Sequence, residues 1–363
     1  MSDQTSAVIK LLEKYTISAW VVDEDENIVY MNPHMQDLFG NLAGEKTSII
    51  YESSSFEILS SPEENVEGPS EVMISDVPFK RTGSFVDFGD EGKFSVEFFD
   101  DISEQKHDHA NMTHALAKLN AETRMAKTIQ NSILPIDDIY WNTIAFSSLY
   151  MPADDLGGDF YDVLKLSEDE YLIYIADVSG HGIQASLLTV FMRERVRTNV
   201  SAAISGTGEL LGKLVQDFNA LEIDGMMYVT MALCKYTKSR RELSISNAGH
   251  NCSPLIIRDN GRTETIPIRG MPVCAIAGDV DYEEEIVGMK PGDRLILFTD
   301  GIVEEIDSAT GQSFGPEGVR KLAEKHHAYN GGYLARTIMD ESARYVLISA
   351  KDDRTIVIAD ILS

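Results

Sequence analysis

Gly157-Gly158-Asp159-Phe160-Tyr161-Asp162 opens a series of four acidic motifs that continues to Thr355, near the end of the chain. Each motif places a carboxylate at the edge of an apolar run, where turn residues such as Gly, Asn or Ser are more usual. The other three motifs are Asp177-Val178-Ser179-Gly180-His181-Gly182, Phe298-Thr299-Asp300-Gly301 and Asp352-Asp353-Arg354-Thr355. Carboxylates and water are the ligands of hard divalent cations. The series therefore predicts carboxylates that converge on Mg²⁺ or Mn²⁺.

Two of these acids carry the chemistry that we expect of the site. Asp177 ends the apolar run 171–176 and is the best candidate for a carboxylate that bridges two metal ions. Asp159 follows Gly157 and Gly158, which have no Cβ atoms and so permit a close approach. Two ions would lower the pKa of a bridging water and so activate it as a nucleophile. Without metal the crowded carboxylates repel each other, so we expect a loose metal-free site.

The charge of the chain excludes several classes of partner. With 31 Lys and Arg against 59 Asp and Glu, the formal net charge is −28, which repels nucleic acid and anionic membranes.

Cys234, Cys252 and Cys274 form no CxxC pair and predict neither a disulfide framework nor a zinc site. No apolar stretch approaches the roughly 20 residues that span a bilayer, and the N-terminus lacks the features of a signal peptide. We therefore expect a cytoplasmic protein with reduced thiols.

Residues 1–103 are predicted to form a separate domain. Two apolar runs, 17–22 and 28–31, flank a short polar turn and predict a hairpin. Asn32-Pro33 then begins a predicted helix that ends at Gly40. Further strands are predicted at 70–77, 81–88 and 93–99, with a loop at 60–69.

This first domain resembles a PAS sensor domain in two places. The stretch 20–40 is similar to the opening of such domains, and 100–103 is similar to their exit into a signalling helix. The sequence leaves the ligand of the domain unknown. The segment holds no cysteine for a flavin adduct, and His34 is its only candidate haem ligand.

Residues 104–134 contain no glycine and no proline and are rich in helix-favouring residues, which predicts a helical linker. Asn111 and Thr123 interrupt its heptads. Because one helix is marginal in water, the hypothesis is that two linkers pair in parallel and make the protein a homodimer. The apolar stripe that would be buried consists of Leu116, Leu119, Met125, Ile129 and Ile133.

Residues 135–363 are predicted to form one catalytic domain. The predicted strands lie at 144–150, 171–178, 227–236, 242–247, 255–257, 294–298 and 355–361, and the predicted helices at 184–199, 207–221, 316–325 and 332–347. Helices follow pairs of strands and do not alternate with them one for one. This pattern favours an α+β layered fold over a parallel doubly wound sheet.

The order of the motifs in this domain is similar to that of the PPM (PP2C-like) family of metal-dependent serine/threonine phosphatases, in its bacterial sporulation and stress-response branch. The motifs are GGDFYD, ADVSGHG, NAGHN, FTDGIVE and DDRT. The resemblance implies two antiparallel sheets flanked by helices and a site with two Mn²⁺ or Mg²⁺ ions. It also implies that the substrate is a phosphorylated anti-sigma-factor antagonist. The added PAS domain resembles the arrangement of phosphatases in energy-stress signalling.

The resemblance also assigns metal ligands, with Asp177 as the bridging carboxylate. Asp159 and the backbone carbonyl of Val178 correspond to ligands of the second metal. Asp300 and Asp352 correspond to ligands of the first metal, and Asp353 is the alternative to Asp352.

Other residues near the motifs have open roles. Gly158 is a possible member of the site. His181 could protonate the leaving alkoxide, or it could be structural in its Gly-flanked turn. Asp162 could lie behind the ligands or be solvated, and 247–251 is predicted to be a turn that shapes the site floor. The predicted helix 184–199 carries three arginines, Arg193, Arg195 and Arg197. They could contact the substrate, or they could form a solvated face of the helix.

Two other functions compete with the phosphatase. Gly157-Gly158-Asp159-Phe160 is superficially similar to the GGDEF signature of nucleotide cyclases, but Phe160 stands at the acidic position and two motifs would be unexplained. A pseudophosphatase that binds without hydrolysis is disfavoured by the presence of all four acids. The chain has neither the motif set of a kinase nor a P-loop.

A further hypothesis is that the PAS state acts through the linker on the helices 184–199 and 207–221 and so changes metal binding.

Overall fold

The computed structural model describes residues 9–53, 56–60, 69–87, 92–135, 139–180, 182–223, 227–275, 279–304, 306, 311, 313–345 and 352–363. The chain divides into two compact units, Met1–Lys118 and Leu119–Ser363, which are described separately. None of the helices in the described ranges is both long and apolar enough to cross a membrane.

The first unit is built on a six-stranded antiparallel sheet with the strand order β2-β1-β6-β5-β4-β3. Its elements are β1 Ser18–Val22, β2 Ile28–Met31, α1 Pro33–Phe39, α2 Ser48–Tyr51, β3 Phe56–Ser60, β4 Ser70–Ile74, β5 Val77–Asp87 and β6 Lys93–Asp101. Asn32 begins α1 as predicted, because its side-chain oxygen accepts from Met35 N at 2.9 Å. Gly40 ends this helix with φ 75°, and His34 is exposed.

Two predictions in this unit need correction. The sequence did not predict β3 or α2. The predicted strand 70–77 ends early at Ile74, since Ser75 and Asp76 have φ of 49° and 66° and form a tight turn into β5. The strand predicted at 81–88 therefore begins at Val77.

A buried charged group lies in the core of the first unit. Glu97 on β6 is 8% exposed, and its Oε2 accepts from Trp20 Nε1 at 3.0 Å and from Tyr51 OH at 2.6 Å. Arg81 on β5 forms a two-point contact with Glu97, through Nε to Oε2 at 3.1 Å and through Nη2 to Oε1 at 2.8 Å. Donors from three other elements thus meet the charge of Glu97.

The predicted linker is the helix α3, Ser103–Ile133. Four members of its apolar stripe, Leu116, Leu119, Met125 and Ile129, are 48–68% exposed in the single chain. Gln130 differs from them because it is 3% exposed.

The second unit contains two antiparallel sheets, with the strand orders β16-β12-β11-β10-β9 (β15 pairs with β11) and β14-β13-β17-β18-β8-β7. Its strands are β7 Ile139–Tyr140, β8 Ile144–Met151, β9 Asp159–Lys165, β10 Glu170–Val178, β11 Tyr228–Thr237, β12 Glu242–Ala248, β13 Leu255–Ile257, β14 Thr263–Thr265, β15 Val273–Cys274, β16 Glu285–Gly288, β17 Arg294–Phe298 and β18 Arg354–Ile361. Its helices are α4 Ile183–Thr198, α5 Val200–Ser205, α6 Thr207–Asn219, α7 Gly315–Lys325 and α8 Gly331–Ser342.

The two sheets pack face to face between two layers of helices. Side chains from both sheets, such as Ile173 and Val357, form the central core. The outer face of the first sheet packs against α4 and α6 through residues such as Leu214. The outer face of the second sheet packs against α7 and α8 through residues such as Ile338. This arrangement confirms the prediction of a layered α+β fold with two antiparallel sheets flanked by helices.

The sequence analysis missed several elements of this unit. It did not predict β9, and it did not predict the short strands β7, β14, β15 and β16 or the short helix α5. The last predicted helix, 332–347, ends earlier, at Ser342, and a 3₁₀ turn over Ala343–Tyr345 follows it.

Candidate active site

Asp159 and Asp177 lie opposite each other on neighbouring strands. Asp159 begins β9, and it is the direct antiparallel partner of Asp177 on β10. Opposite residues of a ladder share a face, so both side chains project to the same side of the sheet. Val178 N donates to Gly158 O at 3.1 Å, and a Cβ atom on Gly158 would lie 2.7 Å from the Val178 carbonyl oxygen. The glycine is therefore needed for this close approach, as the sequence predicted.

Asp300 and Asp352 come from the second sheet. β17 ends at Phe298 and β18 begins at Arg354, and these strands are antiparallel neighbours, so both acids lie at one edge of the sheet. Asp300 begins a 3₁₀ turn, and its Oδ2 accepts from Asn251 Nδ2 at 3.0 Å.

Two threonines join the acidic ends of the two sheets. Thr299 Oγ1 donates to Asp159 Oδ2 at 2.8 Å, and Thr355 Oγ1 donates to the same oxygen at 2.5 Å. Both threonines are fully buried. The structure thus brings the four acidic motifs to one place.

The two acids of the Asp352-Asp353 pair have different surroundings. Asp353 is 6% exposed; its Oδ1 accepts from Ala153 N at 2.8 Å, and its Oδ2 accepts from Gly158 N at 2.5 Å and Asp159 N at 3.3 Å. Asp352 is exposed, and its Oδ1 accepts a local bond from Asp353 N at 2.8 Å. Both oxygens of Asp353 are therefore used to hold the glycine loop, whereas Asp352 faces solvent.

Burial and nearby negative charge raise the pKa values of Asp159, Asp177 and Asp352. Burial raises the pKa of Asp177 to about 7, with further contributions from the charges of Asp300, Asp352 and Asp353. Burial is also the largest cause that raises the pKa of Asp159 well above its ordinary value, followed by the charges of Asp177 and Asp353. The pKa of Asp352 is also raised, because its carboxyl is partly desolvated although the side chain reaches solvent, and because the charges of Asp300 and Asp353 lie near it. Such acids ionise readily only beside positive charge.

The donor set fits hard divalent cations. Its members are oxygen atoms of Asp159, Asp177, Asp300 and Asp352 and the carbonyl of Val178. Within the described ranges, no three Asp, Glu, His or Cys side chains lie close enough together to form a ready-made metal cage. An open carboxylate set of this kind suits Mg²⁺ or Mn²⁺, because such ions keep several water ligands.

The motif at 247–251 forms the predicted turn beneath the acids. Asn247 Nδ2 donates to His250 O at 2.9 Å, and His250 N donates back to Asn247 Oδ1 at 2.7 Å. The buried His250 ring lies 3.2 Å from Thr230 Oγ1 through Nδ1 and 3.0 Å from Phe298 O through Nε2. Because a carbonyl only accepts, Nε2 carries the proton, and burial lowers the pKa of His250. His250 therefore connects the strand beside Asp177 to the strand end before Asp300.

Gln130 is a contact of the site that the sequence analysis missed. Its Nε2 donates to Gly157 O at 2.6 Å and to Thr189 Oγ1 at 3.3 Å, and its Oε1 accepts from Gly157 N at 3.3 Å. The linker helix α3 thus contacts both the glycine loop before Asp159 and helix α4. One glutamine in a helix rich in polar residues gives no sequence signal for this role.

Asp162 and the arginines of α4 form internal ion pairs. Asp162 is fully buried, and its Oδ2 lies 3.0 Å from Arg193 Nη2 and 2.8 Å from Arg197 Nη2. Arg195 pairs with Asp217 on α6 at 2.8 Å. Asp162 is therefore not solvated but anchors α4 on β9. All three arginines pair with acids of the protein, while Arg195 and Arg197 stay partly exposed, so this helix face is not a plainly solvated one.

Not every predicted site residue can be placed. His181 lies outside the described residues. The two candidate roles of this histidine therefore stay predictions.

Comparisons with known proteins agree with this geometry. The phosphoserine phosphatase RsbU of Bacillus subtilis (strain 168) is 22% identical over 253 residues, which cover 69% of this chain and 73% of that protein. The phosphoserine phosphatase RsbP of the same organism is 25% identical over 192 residues, which cover 52% of this chain and 47% of RsbP.

The fold and the family agree as well. The PP2C domain of SiaA from Pseudomonas aeruginosa has the same fold, with a TM-score of 0.60 at 23% identity over 69% of this chain and 99% of that domain. Residues 167–362, more than half of the 363 residues, match the family described as Stage II sporulation protein E (SpoIIE). The chain therefore belongs to the SpoIIE family and has the PP2C-like fold.

Proposed function

We propose that this protein is a phosphoprotein phosphatase that hydrolyses phosphoserine or phosphothreonine with the help of two Mn²⁺ or Mg²⁺ ions. The observation that carries the proposal is Asp177, a mostly buried acid whose pKa is raised by burial and by three other acids. These acids lie at neighbouring strand ends of the two sheets. The chain that carries them belongs to the SpoIIE family. RsbU and RsbP, which it resembles, are named phosphoserine phosphatases.

The residues divide into ligands and supports. Asp177 would bridge the two ions, Asp159 and the Val178 carbonyl would hold one of them, and Asp300 and Asp352 would hold the other. Bound ions of this kind supply an activated water and neutralise phosphate charge, so the protein needs no nucleophile of its own.

The supports hold the ligands and are distinct from them. Asp353 is the less suitable ligand, because backbone amides occupy both of its oxygens. Asn251 fixes the orientation of Asp300 through its amide. Supporting partners of this kind commonly matter to metal affinity nearly as much as the ligands do.

For the substrate, we propose a phosphorylated anti-sigma-factor antagonist. An activated water can attack a phosphate presented on a folded protein surface, and the exposed Asp352 places part of the site at the surface. The net charge of −28 would repel a strongly acidic partner at long range, so recognition depends on local contacts. The arginines of α4 are paired with acids of the protein, so only the partly exposed Arg195 and Arg197 remain open to such contacts.

The test uses two substrates in parallel. The protein is incubated with Mn²⁺ and the phosphorylated antagonist of its own organism, and phosphoserine is followed by mass spectrometry beside hydrolysis of p-nitrophenyl phosphate. We expect both phosphates to be released, and EDTA to stop both reactions. Hydrolysis of the generic ester alone would remove the substrate assignment and keep the enzyme class. No hydrolysis of either substrate with Mn²⁺ would favour a pseudophosphatase, and the cyclase alternative has no support from the family.

We also propose that the first unit is a PAS-type sensor that regulates the phosphatase. Support comes from the single antiparallel sheet, from α1 directly after β2, and from β6, which leads into helix α3 after one residue. An absorption spectrum and a mass spectrum of the purified protein would identify a bound ligand.

The exposed stripe of α3 supports a homodimer formed through paired linkers. Light scattering of the full chain measures its mass directly. A monomer at high protein concentration would contradict this part of the proposal.

A further inference from the structure

One oxygen of Asp159 is held by two hydroxyl groups from the opposite sheet. Thr299 and Thr355 both donate to Oδ2, at 2.8 Å and 2.5 Å, and neither hydrogen-bonding pair is accessible to solvent because Asp159 is 2% exposed and both threonines are fully buried. Leaving a buried hydroxyl without a partner is costly, so these contacts are strongly favoured in the folded state.

The direction of the Thr299 hydroxyl is fixed by the backbone. Its oxygen accepts from Thr355 N at 3.0 Å, while Thr299 N donates to Thr355 O at 3.0 Å. A hydroxyl has one hydrogen to donate. The nearer acceptor for it is Asp159 Oδ2, since the alternative, Asp353 O, is 3.5 Å away.

The two threonines belong to the motifs that supply the other acids. Thr299 directly precedes Asp300, and Thr355 follows Asp352 by three residues. Each motif of the second sheet therefore provides an acid that faces the site and a hydroxyl that crosses to the acid of the first sheet. The position of Asp159 is thereby set by the same two strand ends that carry Asp300 and Asp352.

We propose that Thr299 and Thr355 are positioning residues that occupy Oδ2 of Asp159 and leave only Oδ1 for a metal ion. This inference rests on the proposed function, because it concerns the ligand geometry of the proposed metal site. A carboxylate whose second oxygen is held in this way cannot rotate to bind an ion through both oxygens. The two hydroxyls thus select a single-oxygen ligand, which suits the near-octahedral geometry that Mg²⁺ demands.

The test replaces each hydroxyl by a methyl group in the full chain. Thr299→Val and Thr355→Val keep the side-chain shape, and Mn²⁺ binding is measured by calorimetry and by electron paramagnetic resonance. We expect the Mn²⁺ affinity to fall about 10–100-fold, the usual cost of removing a partner of a metal ligand. Thr355→Ser, which keeps the hydroxyl, should bind Mn²⁺ nearly as well as the wild type. Should Thr355→Val not fold, Thr299→Val and Thr355→Ala carry the same comparison.

The matched control is Thr263→Val. The Thr263 hydroxyl also donates to a carboxylate, Glu324 Oε1 at 2.6 Å, but on the edge strand β14 outside the site. This variant should leave Mn²⁺ binding unchanged. If Thr299→Val and Thr355→Val fold and bind Mn²⁺ as tightly as Thr263→Val does, the inference is wrong.

A double-mutant cycle separates positioning from general stability. In an Asp159→Asn background the carboxylate is gone, so Thr355→Val should weaken Mn²⁺ binding little further; an equal second loss would mean a merely structural role. Wild-type protein that binds Mn²⁺ but hydrolyses no phosphoester would overturn the proposed function and leave this inference standing. If the wild type hydrolyses phosphoesters while both valine variants bind Mn²⁺ normally, the inference about the threonines is wrong and the proposed function stands.

Discussion

Two carboxylates of this chain, the buried Glu97 and the half-buried Asp177, have opposite surroundings. Glu97 in the first unit meets the guanidinium of Arg81 and two neutral donors. Asp177 in the second unit meets the charges of three other acids. A matched buried charge serves the packing of a core, whereas a set of unmatched acids has little structural use and marks a place where a cation can bind.

The strand β9 shows that residue type does not decide between the two cases. Asp162 lies only three residues after Asp159 on that strand, and it is fully buried like its neighbour. Arg193 and Arg197 meet the charge of Asp162, while acids surround Asp159. The neighbours brought by the fold therefore separate the supporting acid from the acid of the site.

The largest effect on activity is expected when Asp177, whose charge has no basic partner, is replaced by a neutral residue. Asp177→Asn should lower Mn²⁺-dependent phosphatase activity by more than about 100-fold, since changing only the partner of a ligand already costs about 10–100-fold. The metal-free variant should unfold at the same temperature as the wild type or higher, because a repulsive charge is gone. A fully active variant would contradict the proposed site.

The control for this variant is Asp162→Asn on the same fold. It removes the buried countercharge of Arg193, which then keeps only the exposed Glu194 at 3.5 Å, and should lose about 3 kcal/mol of unfolding free energy. Thermal unfolding of both metal-free variants compares the two acids directly. Equal losses of stability would remove the distinction between matched and unmatched acids.

Removing the partner of Glu97 should have the next largest effect, and on stability. Arg81→Ala is expected to cost about 2 kcal/mol, less than for a fully buried pair because Arg81 is partly exposed. Urea unfolding followed by Trp20 fluorescence, in a Trp141→Phe background, measures it. Lys106→Ala breaks an exposed pair with Glu71 and should cost less than about 1 kcal/mol. A similar cost for both variants would show that burial of the pair is unimportant.

The pH dependence of metal binding should follow the raised pKa of Asp177. That pKa is about 7 in the folded protein against an ordinary value of 3.8, so the metal-free folded state keeps a proton that the unfolded chain releases. The stability contributed by this group is complete below pH 3.8 and is lost as the pH rises through about 7. Mn²⁺ must displace the proton, so its apparent affinity should fall about tenfold per pH unit below 7. Calorimetry from pH 5.5 to 8 tests this, and a constant affinity would contradict it.

The smallest effect is expected at the linker. Gln130→Ala removes the contacts of α3 with Gly157 and Thr189, and we expect activity to fall about 10-fold or less with a higher Mn²⁺ requirement, as for other partners behind a metal ligand. Lys127→Ala on the same helix breaks only an exposed pair with Asp155 and is the matched control. Identical Mn²⁺ dependence of the two variants would disconnect the linker from the site.

The sequence predicted the parts of the molecule whose signal is local. Most long strands, the linker helix and the caps of α1 followed from apolar runs, helix formers and turn residues. β9 was missed because its seven residues, DFYDVLK, mix acids and aromatics without a clear alternation. Strands of two or three residues, such as β14 and β15, are too short to leave a pattern and depend on their neighbours.

Contacts across the fold were beyond the reach of sequence reasoning. The four acids could be named because each stands in a motif of its own. Thr299 and Thr355 stand in the same motifs, but their roles depend on how the second sheet packs on the first. The pairing of Asp162 with Arg197, 35 residues away, likewise requires the packing of α4 on β9.

The turn of the β9–β10 hairpin sets the pairing of the two acids at the opposite end of the ladder. Its ladder runs from Lys165 and Tyr171 to Asp159 and Asp177, six residue steps or about 20 Å. Successive side chains alternate between faces, so removing one residue from the turn at 166–169 would shift the register and turn one of the two acids to the opposite face. The length of a surface turn at the other end of the hairpin therefore fixes whether the two carboxylates project from the same face, and this hairpin can tolerate changes of sequence in its turn far better than changes of length.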